Sequence, residues 1–84
     1  MTYDKVRQTS RFVVGVKQST KAVEQGKASE VIIALDADGK VLARLLQLCR
    51  DTGVPTSHVD SMKQLGRACG IEVGAAAVAL LKDV

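Results

Sequence analysis

Lys17, Gln18 and Lys21 stand together in the stretch Gly15-Val16-Lys17-Gln18-Ser19-Thr20-Lys21-Ala22-Val23-Glu24-Gln25-Gly26-Lys27. The pattern predicts a short helix that starts at one glycine and stops at another. Val16, Thr20 (or Ser19) and Val23 recur at i, i+4 and i+7 and face a core, which turns Lys17, Gln18, Lys21, Glu24 and Gln25 outward. A helix N-terminus presents unpaired N–H groups and a partial positive charge, so anions bind there. Two lysines and an amide able to read a base edge make this end a nucleic-acid probe. A plain solvated surface helix fits the same residues, and the stretch alone does not separate the two.

The other candidate chemistries are thinner. His58 is the single histidine and falls in a strand-like segment, with no cysteine or serine at a triad spacing. Asp36 and Asp38 in Asp36-Ala37-Asp38-Gly39 read as turn and cap chemistry, without the remaining ligands of a calcium loop. Cys49 and Cys69 lie among apolar helical residues; two thiols and one histidine do not complete a four-ligand zinc site, so both are expected as buried, reduced residues. Gly66, Gly70 and Gly74 do not follow a strand and form no dinucleotide fingerprint; they read as close packing and loop geometry. No catalytic group, metal or cofactor is expected. The glycine-flanked loop Ile71-Glu72-Val73 has two readings: core residues at a loop edge, or apolar side chains laid against an unstacked RNA base.

Composition sets the frame for these residues. Eighty-four residues at 46% hydrophobic content suit one domain, residues 1–84. Tyr3 and Phe12 are the only aromatics, so the core is aliphatic. No run of about 18 apolar residues is long enough to span a bilayer and the first residues show no charged-then-apolar leader pattern, so a cytoplasmic protein without a membrane partner is expected. The net charge of +3 is uneven: residues 1–27 carry six bases against Asp4 and Glu24, whereas residues 28–60 carry three bases against five acids. That loading points to an anionic partner.

The elements that must position the site follow in order. Tyr3 to Ser10 predicts a helix capped by Thr2 and anchored by Val6. Phe12-Val13-Val14 predicts a strand ending at Gly15, and the helix from Val16 stops at Gly26. Val31-Ile32-Ile33-Ala34-Leu35 predicts a central strand covered on both faces. The next helix is expected to bury Val41, Leu42, Leu45, Leu46 and Cys49 until Gly53-Val54-Pro55 ends it. Thr56 to Val59 predicts a third strand; Ser61 caps a helix with Met62, Leu65 and Cys69 on one side; Ala75 to Leu81 predicts a last strand of small residues under closely packed helices. The expected fold is a three-layer α/β/α sandwich around a mixed four-stranded sheet.

Gly15-Val16-Lys17-Gln18-Ser19-Thr20-Lys21 resembles the G-x-N-E-x-x-K signature of the L7Ae/L30e ribosomal proteins. The resemblance continues through Gly26-Lys27-Ala28, Val31 to Leu35, Asp36-Ala37-Asp38, Leu48-Cys49, Val54-Pro55 and Leu65-Gly66-Arg67-Ala68-Cys69-Gly70, and so covers nearly the whole chain. Within that family the chain is most similar to the small bacterial L7Ae-like, ribosome-associated proteins. The resemblance implies binding of kink-turn RNA, a duplex bent at a bulge beside tandem sheared G·A pairs. By it, Lys17, Gln18 and Lys21, led by Gly15, reach the G·A pairs. The loop Ile71-Glu72-Val73 covers the bulge, and Asp38 and Leu42 hold the extruded base. A monomer on ribosomal or other structured RNA is expected. The alternative is a ribosome-assembly or protein–protein adaptor touching RNA only non-specifically.

Two departures bear on mechanism. Lys17 replaces the signature Asn, adding charge and losing an acceptor; Gln18 replaces Glu, so the group both donates and accepts. Greater reliance on phosphate attraction is expected.

Overall fold

A computed structural model describes residues 11–82, so the helix expected over Tyr3 to Ser10 lies outside the described residues. Within them the order is β1 (Phe12–Val14), α1 (Val16–Glu24), β2 (Ala28–Ala34), α2 (Gly39–Thr52), β3 (Thr56–Val59), α3 (Met62–Ala68) and β4 (Ala77–Leu81).

The four strands form one mixed sheet in the order β1-β4-β2-β3. β4 runs antiparallel to both β1 and β2, and β2 runs parallel to β3. A parallel pair needs a crossover, which α2 supplies. β2 is central and alternates between two cores. Val31 and Ile33 join Ala22, Val23, Leu42, Leu45, Cys49, Ala77 and Ala79 on the face covered by α1 and α2. Ile32 and Ala34 join Val59, Leu65, Val78 and Leu80 on the face covered by α3. Burial on both faces explains the unbroken apolar run, and the two cores make the expected three layers.

The small residues of β4 are unequally used. Ala77 and Ala79 face α1 and α2, and Ser19 of α1 is fully buried there, as close approach of helix to strand requires. Val78 and Leu80 fill the α3 side.

Several expected boundaries and burials shift. β2 begins at Ala28 and ends at Ala34; Leu35 leaves the sheet and is 63% exposed. β4 begins at Ala77 rather than Ala75, although Ala75 is buried. Val41, expected in the core, is 52% exposed, because it lies about 100° around the helix from the buried Leu42. Gly53 closes α2 in the left-handed conformation at φ 77°, where glycine carries no steric cost.

Candidate nucleic-acid interface

The sheet registers bring three helix N-termini to one end of the molecule. Val14 pairs with Val78 and Ile33 with Ala77, while the Ala34 N–H reaches the Ala76 carbonyl at 3.0 Å and the Leu35 N–H reaches the Val59 carbonyl at 2.8 Å. The chain therefore leaves β1, β2 and β3, and enters β4, at the same end. α1, α2 and α3 start there, and none has an acid in its first turn.

The three N-termini differ in how their amides are satisfied. Asp38 caps α2, its carboxylate accepting from Lys40 N–H at 2.9 Å. Ser61 caps α3 through Gln64 N–H at 3.1 Å, and Asp36 accepts from Met62 N–H at 2.8 Å. α1 has no side-chain cap. Its cap position is Gly15 at φ 101° and ψ 155°, a region essentially reserved for glycine. Here an asparagine, aspartate or serine cap is replaced by a residue that leaves the first-turn N–H groups open. Lys17, Gln18 and Lys21 beside them are exposed, so the outward face expected from the helical period is the face observed.

The loop between α3 and β4 sits at the same end. The Ile71 N–H donates to the Gly66 carbonyl at 3.1 Å, and the Ala75 N–H donates to the Met62 carbonyl at 3.0 Å, pinning both ends of the loop to α3. The fit is tight at Gly66: a Cβ there would stand 2.1 Å from the Val73 carbonyl oxygen. Close packing was the expectation for this glycine, and the contact is the loop itself. Of the three loop residues, Ile71 packs inward against the α3-side core, whereas Glu72 is exposed and Val73 is 70% exposed. The two readings of the loop divide between its residues, Ile71 taking the first and Val73 offering the second.

Asp38 is exposed at the same end. Leu42, expected to help hold an extruded base, is 4% exposed and belongs to the core under α2; it lies on the inward side of the helix. The apolar surface at this corner comes instead from Leu35 and Val41, which sequence reasoning assigned to the interior. One signal was available for Leu35: it is the last apolar residue before the Asp36-Ala37-Asp38 turn, where a strand leaves its sheet. Val41 carried no such signal.

Elsewhere the chemistry is sparse. Cys49 and His58 line one cleft with Leu46, Arg50, Val54 and Thr56. Both thiols are free, and burial pushes those of Cys49 and Cys69 above their ordinary value, away from the nucleophilic thiolate. Among the described residues no group of three or more His, Cys, Asp or Glu side chains is placed to hold a metal ion, and no helix is long and apolar enough to cross a membrane.

The geometry defines an α/β/α sandwich in which, among the described residues, one basic helix N-terminus without a side-chain cap lies at the same end as an apolar loop tip. Residues 2–84 match the Ribosomal protein L7Ae/L30e/S12e/Gadd45 family, and the chain belongs to it. It is 49% identical over 82 residues to an RNA-binding protein of Geobacillus sp. (strain WCH70), covering 98% of this chain and all of that one. It is 48% identical over 82 residues to the RNA-binding protein YbxF of Geobacillus stearothermophilus, with the same coverage. Among solved structures it superposes on the Giardia lamblia 15.5kD RNA binding protein with a TM-score of 0.85 at 33% identity, covering 96% of this chain and 68% of that one.

Proposed function

We propose that this protein is a non-catalytic RNA-binding protein that grips kink-turns in ribosomal or other structured RNA and holds them bent. The observation that carries the reading is the open N-terminus of α1, flanked by exposed Lys17, Gln18 and Lys21, at the same end as the loop that exposes Val73. The names of the relatives and the family support RNA as the partner.

In this mechanism the first turn of α1 enters the groove at the sheared G·A pairs. Its N–H groups and the two ammonium groups meet phosphate oxygens, while the Gln18 amide reads base edges by donating and accepting. Val73 lies against a base splayed from the bulge, with Leu35 and Val41 extending the apolar surface. The Asp38 carboxylate and Glu72 border this surface and accept hydrogen bonds from exocyclic base amines. The protein bends RNA only to the extent that it binds the bent form more tightly than the open one.

The experiment is a fluorescence-transfer titration with a dye on each stem of a kink-turn RNA. Addition of the protein brings the dyes together, and Gln18→Ala with Lys21→Ala moves the midpoint to higher concentration without changing the melting temperature. Binding that leaves the dye distance unchanged contradicts the mechanism.

A further inference from the structure

The polar face of α1 continues past the residues placed at the bend. Between α1 and the β1 edge of the sheet runs a cleft of about 210 Å³. Val13, Ala22 and Leu81 give it an apolar floor, and its rim carries Gln18, Lys21, Gln25 and Lys27. All four rim residues are exposed. Glu24, the one acid of α1, is drawn to the opposite flank, where it pairs with Arg44 of α2 at 3.7 Å. The rim is left with two cations and two amides.

The positive charge extends beyond the helix. The Lys82 N–H donates to the Lys27 carbonyl at 2.8 Å and the Leu81 N–H donates to the Arg11 carbonyl at 3.0 Å. Arg11 and Lys82, both exposed, are therefore backbone neighbours of Leu81 in the floor and Lys27 on the rim. From Lys17 to the end of α1 at Glu24 the helix rises roughly 10.5 Å, about three times the roughly 3.4 Å axial step per phosphate along one strand of a duplex. A line of cations this long follows a backbone rather than a single anion.

We infer that this cleft is a second RNA contact, which takes the sugar–phosphate strand of a stem running away from the bend. Lys27 and Arg11 neutralise phosphates, Gln25 pairs with a ribose 2′-hydroxyl, and the floor receives the ribose faces. The inference rests on the RNA-binding reading above and extends its footprint from the bend to a flanking duplex.

The test titrates wild type and the double variant Lys27→Gln, Arg11→Gln against kink-turn RNAs with long stems and with stems trimmed close to the bend, over a series of salt concentrations. The double variant matches wild type on trimmed RNA. On long-stem RNA at low salt it loses affinity on the order of tenfold, and its salt slope is shallower by roughly 0.7–0.9 for each charge removed. Gln25→Lys moves the same quantities the other way. A double variant that matches wild type on long stems overturns the inference, as does an equal loss at both stem lengths. The same proteins on long-stem RNA with the G·A pairs replaced keep the two readings apart. Failure of the kink-turn reading shows as wild type not distinguishing the RNAs, and failure of the cleft shows as the variant matching wild type on both.

Discussion

The Gly15 amide donates to the Ala77 carbonyl at 2.8 Å. This bond ties the start of α1 to the start of β4, and so joins residues sixty-two positions apart in the chain. The loop that precedes β4 is thereby held at the same end as the N-terminus of α1. The glycine is needed for its backbone: at φ 101° and ψ 155° no other residue is comfortable, and a Cβ would meet nothing within 4 Å. Gly15→Ala therefore costs about 1–3 kcal/mol of stability through strain rather than collision. Urea denaturation measures the loss, and RNA affinity falls as well, because the relaxed backbone tilts the first turn.

Gly66→Ala acts by collision. The added methyl meets the Val73 carbonyl oxygen at 2.1 Å, backbone that yields only if the whole loop moves off α3. The expected destabilisation is roughly 1–3 kcal/mol, occasionally more. Chemical-shift changes are expected to concentrate in residues 70–75, with weaker RNA binding at temperatures where the protein is fully folded.

Ile71 and Val73 separate stability from binding. Val73→Ser alters an exposed tip, leaves stability within about 0.5 kcal/mol and weakens binding to bulged RNA. Ile71→Ala removes a side chain packed on the α3-side core and lowers stability on the order of 2 kcal/mol. Thermal melts paired with RNA titrations check both; the opposite assignment of effects contradicts the orientation of the loop.

The thiols contribute to the pH dependence of stability on the alkaline side. Burial raises both cysteines in the folded state, so the native protein holds these protons more tightly than the unfolded chain. Their contribution is complete below the ordinary thiol range and is lost as pH rises through the raised values. The urea midpoint measured against pH is expected to fall on the alkaline side, and Cys49→Ala with Cys69→Ala flattens that fall. Alkylation at neutral pH is expected to be slow at Cys49, which is 1% exposed.

Much of the fold was legible because its signals are local. The double-sided burial of Val31 to Ala34 follows from an unbroken apolar run, and the end of α2 follows from Gly53-Val54-Pro55. The outward set Lys17, Gln18 and Lys21 follows from the helical period. Side-chain fates at the ends of elements were not legible in this way. Leu35, Val41 and Leu42 are all apolar and sit within eight residues of one another, yet only Leu42 faces the core. Their difference depends on where β2 stops and how α2 is rotated over the sheet. The tight seat of the loop on Gly66 depends likewise on a contact between segments that the chain order alone does not place.

The proposed bend-specific site is tested most directly by equilibrium titration of the wild-type protein at one fixed salt concentration. One RNA is a kink-turn duplex; the other is the same duplex with its tandem G·A pairs replaced by Watson–Crick pairs. Recognition through the first turn of α1 and the Val73 loop predicts tighter binding to the intact kink-turn by at least about tenfold, equivalent to about 1.4 kcal/mol. Equal affinity for the two duplexes contradicts it and leaves a protein that binds RNA by charge alone.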